Sequence, residues 1–118
     1  MRALIYASLG INIFVLVPVC LGLLNKADWT LPAYGPDTAA RGILLSVYLA
    51  ILVTSVGLLF KPIPAMVAAL LLVQIIYKFS TPFTVGSFTN PVVISNLAIA
   101  AVHCVTLWVI LKSGLLES

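Results

Sequence analysis

Four apolar runs, at residues 3–24, 39–60, 63–79 and 92–111, dominate this 118-residue sequence. A hydrocarbon core about 30 Å thick takes roughly 20 helical residues. The first, second and fourth runs fit that length easily, and 63–79 fits narrowly. The pattern predicts an all-α polytopic membrane protein, four transmembrane helices in an antiparallel up-down bundle, with 1–118 as one domain. Composition agrees: 63% of residues are hydrophobic and 8% are charged. A soluble domain carries about a quarter charged residues, and a core this small would not hide so much apolar surface. The excess is expected to face lipid or other subunits.

The net charge of +3 comes from six scattered cations, Arg2, Lys26, Arg41, Lys61, Lys78 and Lys112. They form no basic stripe, so nucleic acid is excluded as a partner. Each lies at or near the end of an apolar run, where a long side chain snorkels to the headgroups. Arg2 followed by an apolar run resembles a signal peptide. However, that run exceeds the usual apolar region and no small-x-small cleavage site follows it, so it is read as a retained first span.

The connections are unequal. Lys61-Pro62-Ile63-Pro64 makes a tight turn between the second and third spans, whereas 25–38 and 80–91 are long and rich in aromatics and turn formers. Thr38 and Asn90 stand as helix N-cap residues at their ends. With an even number of spans the two long connections share one face, where Trp29, Tyr34, Phe83 and Phe88 would lie against the membrane as a lid. Lysine and arginine divide three to three between the two faces. Drawing Lys26, Arg41 and Lys78 into the bundle would break that tie, which places both termini in the cytoplasm.

Polar residues inside spans turn towards protein, because lipid offers them no partner. Arg41, Tyr48 and Ser55 recur every seven residues on the second span. Gln74 and Lys78 are neighbours on the third, Asn96, Ala100 and His103 share a stripe on the fourth, and Ser8 and Asn12 lie on the first. Counted from the terminal face, Asn12, Tyr48, Gln74 and His103 fall roughly 13–18 Å deep, and Arg41, Lys78 and Asn96 roughly 24–28 Å deep. A midplane hydrogen-bond layer and a basic layer under the lid are expected. The midplane layer serves either as polar glue between helices or, through His103, as a ligand to a tetrapyrrole or a partner to a quinone. In the basic layer Arg41 either pairs with Asp37, four residues earlier, or joins Lys78 at a lipid or quinone headgroup.

The chain has three carboxylates, none inside a span, which argues against a carboxylate proton relay. No phosphate-cradling, nucleophilic or zinc-binding motif appears. Cys20 and Cys104 differ in depth by about 13 Å, beyond disulfide reach. Catalysis by this chain alone is not expected. Gly42, Ser46, Ala50 and Thr54 form a small-residue ridge on the second span, which suggests that this span sits at the centre of the bundle.

Ala40-Arg41-Gly42-Ile43-Leu44, leading to Ser55-Val56-Gly57-Leu58-Leu59, resembles the second helix of DoxX-like small four-helix bacterial membrane proteins. The likeness covers about 20 residues and the four-span layout. It implies a membrane subunit of the bacterial cytoplasmic membrane with a quinone or lipid pocket. The expected function is thus a non-catalytic subunit or scaffold packing against a larger complex or copies of itself. The alternative is a quinone- or lipid-binding redox component with its pocket under the long loops, and a small transporter comes third. Arg41, Tyr48, Lys78, Asn96 and His103 are the candidate ligand contacts. The sequence requires no cofactor, and membrane lipids and other subunits are the expected partners.

Overall fold

The computed structural model describes residues 2–114, and every regular element among them is α-helical. Four long helices, α1 (Arg2–Leu24), α3 (Ala39–Phe60), α4 (Pro64–Val85) and α5 (Pro91–Ser113), run antiparallel, and a short helix α2 (Thr30–Tyr34) lies between α1 and α3. Each long helix has 22 or 23 residues and is apolar enough to cross a bilayer. At 1.5 Å per residue each covers about 33 Å, which matches the hydrocarbon core. The chain is an integral membrane protein. Phe14, Val53, Phe60, Val73 and Ile76 point outward and are largely exposed, a surface that only lipid or another apolar chain satisfies.

The helices form two tight pairs, α1 with α3 and α4 with α5. The pairs meet mainly along α1 and α5, while α3 and α4 barely touch although a tight turn joins them. The second span, expected at the centre, therefore stands at the edge. Its buried stripe is Arg41, Tyr48, Ile51, Ser55 and Leu58, and Gly42, Ser46, Ala50 and Thr54 are all exposed. Polar residues need partners that only the interior supplies, whereas small residues lose little against lipid. The polar stripe sets the rotation of this helix.

Helix ends follow from local chemistry. Thr38 accepts a hydrogen bond from the Arg41 amide at 3.4 Å, and Asn90 accepts one from Val92 N–H at 2.8 Å, so both expected N-caps form. At the end of α1 the amide of Ala27 reaches Gly22 O at 2.9 Å and that of Lys26 reaches Leu23 O at 3.3 Å. This reciprocal cap places Lys26 at φ 55°, a position where glycine is usual.

The third span runs past residue 79, its expected end, to Val85. Pro82 lies inside this stretch and lacks the N–H that would pair with the Lys78 carbonyl. The Thr81 hydroxyl donates to that carbonyl instead, at 2.6 Å, so the helix continues through the proline. It stops at Gly86, whose φ of 74° lets the amides of Gly86 and Ser87 both bond Pro82 O. The connection to α5 shrinks to residues 86–90.

Thr81→Val is expected to leave the Lys78 carbonyl unpaired and to cost about 1–3 kcal/mol. Thr84→Val, at an exposed position, should be close to neutral. Thermal unfolding in detergent micelles, followed by helical circular dichroism, compares the two.

Candidate functional site

The lid on the loop face is a built structure. Trp29 packs over Gly22 so closely that a Cβ there would collide with its indole ring. Thr30 donates to Ala27 O at 2.6 Å. Arg41, buried at the start of α3, extends its Nη1 to Thr30 Oγ1 at 3.2 Å and to Gly35 O at 3.0 Å. From the other side, Asn90 Nδ2 donates to Ala33 O at 3.2 Å. Asp37 bridges Lys26 Nζ at 2.9 Å and Arg41 Nε at 4.0 Å. Lys26 holds the Asp37 carboxyl below the usual carboxylate range, and Arg41 adds to the effect. Arg41 thus fastens the lid helix to α3, and its guanidinium is engaged by lid oxygens.

Beneath α2 lie two adjoining cavities of about 310 and 410 Å³. They share Pro32, Ala33, Tyr34, Tyr48, Val92 and Asn96 as walls. The smaller one extends between α1 and α5, past Val15, Val19 and Ser95, and reaches Lys78. The larger one extends towards the gap between α3 and α4, past Leu44, Tyr77, Thr81 and Val85. Both are mostly apolar, with a few polar groups facing in, which is the usual make-up of a small-molecule site.

Those polar groups are unevenly satisfied. Lys78 is 5% exposed and donates to Asn96 Oδ1 at 3.2 Å. Its Nζ stands 5.0 Å from the centre of the Tyr77 ring, a cation–π distance. An ammonium carries three donors, and one is used among the described residues. No carboxylate pairs with it there. Asn96 passes the chain on by donating to Thr81 Oγ1 at 3.4 Å. The Tyr77 hydroxyl is buried with no hydrogen-bond partner among the described residues. Tyr34 and Tyr48 meet edge to face with ring centres 6.0 Å apart. Burial, with Tyr48 alongside, pushes the Tyr34 hydroxyl above the usual phenol range, so it remains a neutral group that donates or accepts.

The midplane layer divides. His103 Nε2 and Asn12 Oδ1 are 2.9 Å apart, His103 Nδ1 and Ser8 Oγ 3.1 Å, and Ser8 Oγ and Thr106 Oγ1 2.7 Å. Asn12 Nδ2 donates to Ser55 Oγ at 3.1 Å, which leaves its Oδ1 to accept from His103. The chain ties α5 to α1 and α1 to α3. His103 is wholly buried, both ring nitrogens are engaged, and it lines neither cavity. A tetrapyrrole ligated there would have to displace Asn12 or Ser8 from a ring nitrogen. Among the described residues the Gln74 side chain bonds only back to Leu70 O on its own helix, at 3.4 Å. Tyr48 belongs to the chamber above this layer rather than to it.

Of the five predicted residues, Tyr48, Lys78 and Asn96 come together in the chamber. Arg41 serves the lid, and His103 sits in the stitching layer below. Sequence reasoning placed Tyr34 in the lid alone and missed Tyr77 and Thr81. Tyr77 directly precedes a lysine inside a span, and that adjacency was the available signal. Neither protein-family models, curated proteins nor solved structures include a match to this chain.

Arg41→Leu is expected to release α2. Hydrogen bonds from a charged donor are worth about 1.5–3 kcal/mol, so amide exchange over residues 30–35 should quicken at least tenfold, as read by mass spectrometry. Asp37 gives a pH signature. A carboxyl held below its ordinary value stabilises the fold above that ordinary value and loses the contribution as pH falls through the lowered one. Trp29 emission in a Trp108→Phe background should hold from neutral down to about pH 4 and change only below it. Asp37→Asn should flatten that transition.

Proposed function

We propose that this protein binds the polar end of a membrane-soluble amphiphile, a lipid or a quinone, in the chamber beneath α2, as a non-catalytic component of the membrane. The observation that carries the reading is Lys78. A buried cation without a carboxylate is expensive in a bilayer and gains most from a phosphate, carboxylate or carbonyl oxygen. Lys78 reaches the chamber with donors to spare, and Tyr77, whose buried hydroxyl has no partner among the described residues, lines the adjoining half. Between them Asn96 and the paired tyrosines supply polar edges and aromatic faces.

The apolar walls suit the attached chain or ring. Both cavities extend sideways between helix pairs, so the ligand arrives from the bilayer while α2 keeps water out. Phenols, an amine and amides hold and orient oxygen atoms, which is binding chemistry. The likeness of residues 40–59 to DoxX-like helices favours the quinone arm and a bacterial cytoplasmic membrane. With Arg41 and Lys78 buried, the water-facing cations are Arg2, Lys61 and Lys112 on the terminal face against Lys26 on the lid face. That imbalance favours cytoplasmic termini.

A second reading, association with another subunit or a second copy, is favoured by the ridge on α3. Gly42, Ser46, Ala50 and Thr54 are exposed, and nothing stands within 4 Å of a Cβ placed on Gly42. Such a ridge admits another helix closely.

The test is an organic extract of protein purified in mild detergent, analysed by mass spectrometry. Wild type and Lys112→Met are expected to carry a lipid or quinone in near-stoichiometric amount. Lys78→Met should carry at least about tenfold less, the loss expected from roughly 1.4 kcal/mol of binding. Identical extracts from wild type and Lys78→Met would refute the assignment.

A further inference from the structure

A separate groove runs down the outside of the α1–α3 pair and shares no residue with the chamber. Its upper part, about 170 Å³, lies at the lid face between Lys26, Asp37, Arg41 and Gly42. Its lower part, about 190 Å³, descends between Val17 and Leu21 of α1 and Leu49 and Leu52 of α3. Leu24 and Leu45 line both parts, so polar head and apolar tail are continuous. This is the order in which a bilayer arranges a lipid: charge at the headgroup level and hydrocarbon beneath.

The charges at the top narrow the choice of lipid. Lys26 Nζ and Asp37 Oδ2 stand 2.9 Å apart, and the two side chains are 68% and 49% exposed. A cation and an anion side by side complement a headgroup carrying both a phosphate and an amine. Arg41 does not add a third accessible charge, because its side chain is 4% exposed and bonded to the lid. Gly42 leaves the floor open, with no atom within 4 Å of a Cβ placed there.

We propose that this groove is a binding site for a phospholipid with a primary-amine headgroup, of the phosphatidylethanolamine class. Lys26 takes the phosphate, Asp37 takes the ammonium, and one acyl chain lies along Leu21, Leu24, Leu45 and Leu49. A primary ammonium donates three hydrogen bonds to a carboxylate. A quaternary choline donates none. An anionic glycerol head has hydroxyls to donate but no positive charge to offset Asp37, so its net negative charge is repelled. Lys26 holds the Asp37 carboxyl below its usual range, so the anion is present at neutral pH.

Native mass spectrometry of the delipidated protein, offered equal amounts of ethanolamine, choline and glycerol phospholipids with identical chains, tests the site. Wild type should retain the ethanolamine lipid about fivefold over either competitor, the scale of one exposed charge pair. Asp37→Asn should erase that preference. Gly42→Leu, which keeps both charges and fills the floor, should erase it as well, so a misfolded Asp37 variant does not decide the matter. Lys78→Met, which empties the chamber, should leave it intact. Equal retention of the three lipids by wild type, best retention of the anionic one, or a preference that survives Gly42→Leu would overturn the proposal. A preference lost only in Lys78→Met would assign the lipid to the chamber instead.

Discussion

In the hydrocarbon core of a bilayer a polar side chain has no water to bond, so each one must find protein or a ligand. That constraint orients every long helix here. Apolar residues alone leave rotation undecided, because the outer faces of all four spans are as oily as the inner ones. The polar stripes decide it. Arg41, Tyr48 and Ser55 turn α3 inward, even at the cost of exposing the small-residue ridge. Ser8, Asn12, His103, Thr106 and Ser55 then close into one network across three helices. Individual bonds of this kind average about 0.6 kcal/mol. Their collective effect is to exclude other rotations, each of which would strand several groups in lipid.

The same constraint separates a closed layer from an open one. Below, the network around His103 uses both ring nitrogens, and His103, Asn12 and Ser8 line neither half of the chamber. Above, Lys78 spends one donor on Asn96, and the Tyr77 hydroxyl has no partner among the described residues. The unsatisfied groups sit where the two helix pairs diverge and where α2 roofs the gap. Arg41 is what holds that roof, since its bonds to Thr30 and Gly35 tie the lid to the start of α3. The two cations of the basic layer therefore have different work: Arg41 builds the enclosure, and Lys78 faces into it.

Much of this was legible in the residues. The spans, the tight turn at 61–63 and the caps at Thr38 and Asn90 follow from hydropathy, proline and side-chain oxygen alone. Helical spacing turned Tyr48, Lys78 and Asn96 inward, but depth set Tyr48 a layer below the other two, whereas all three line the chamber. The failures have physical causes. Pro82 reads as a helix end unless the Thr81 hydroxyl is known to replace its missing donor. The small-residue ridge reads as a packing centre unless the competing polar stripe is weighed against it. Helix α2 is a five-residue segment, too short to carry a periodic signal, and tertiary bonds from Arg41 and Asn90 hold it. His103 and Lys78 look alike in sequence as ionisable residues inside spans, and only their three-dimensional partners tell a group with every polar atom bonded from one with donors left over.

Among the described residues Lys78 Nζ spends one of three donors, and the proposed ligand takes up the others. Solid-state NMR on the protein in native-lipid vesicles, with ¹⁵N in the lysine side chains, measures this directly. A dipolar contact from Lys78 Nζ to a non-protein phosphorus or carbonyl carbon, within hydrogen-bond range, is the predicted result. Contacts to Asn96 and water alone would contradict it.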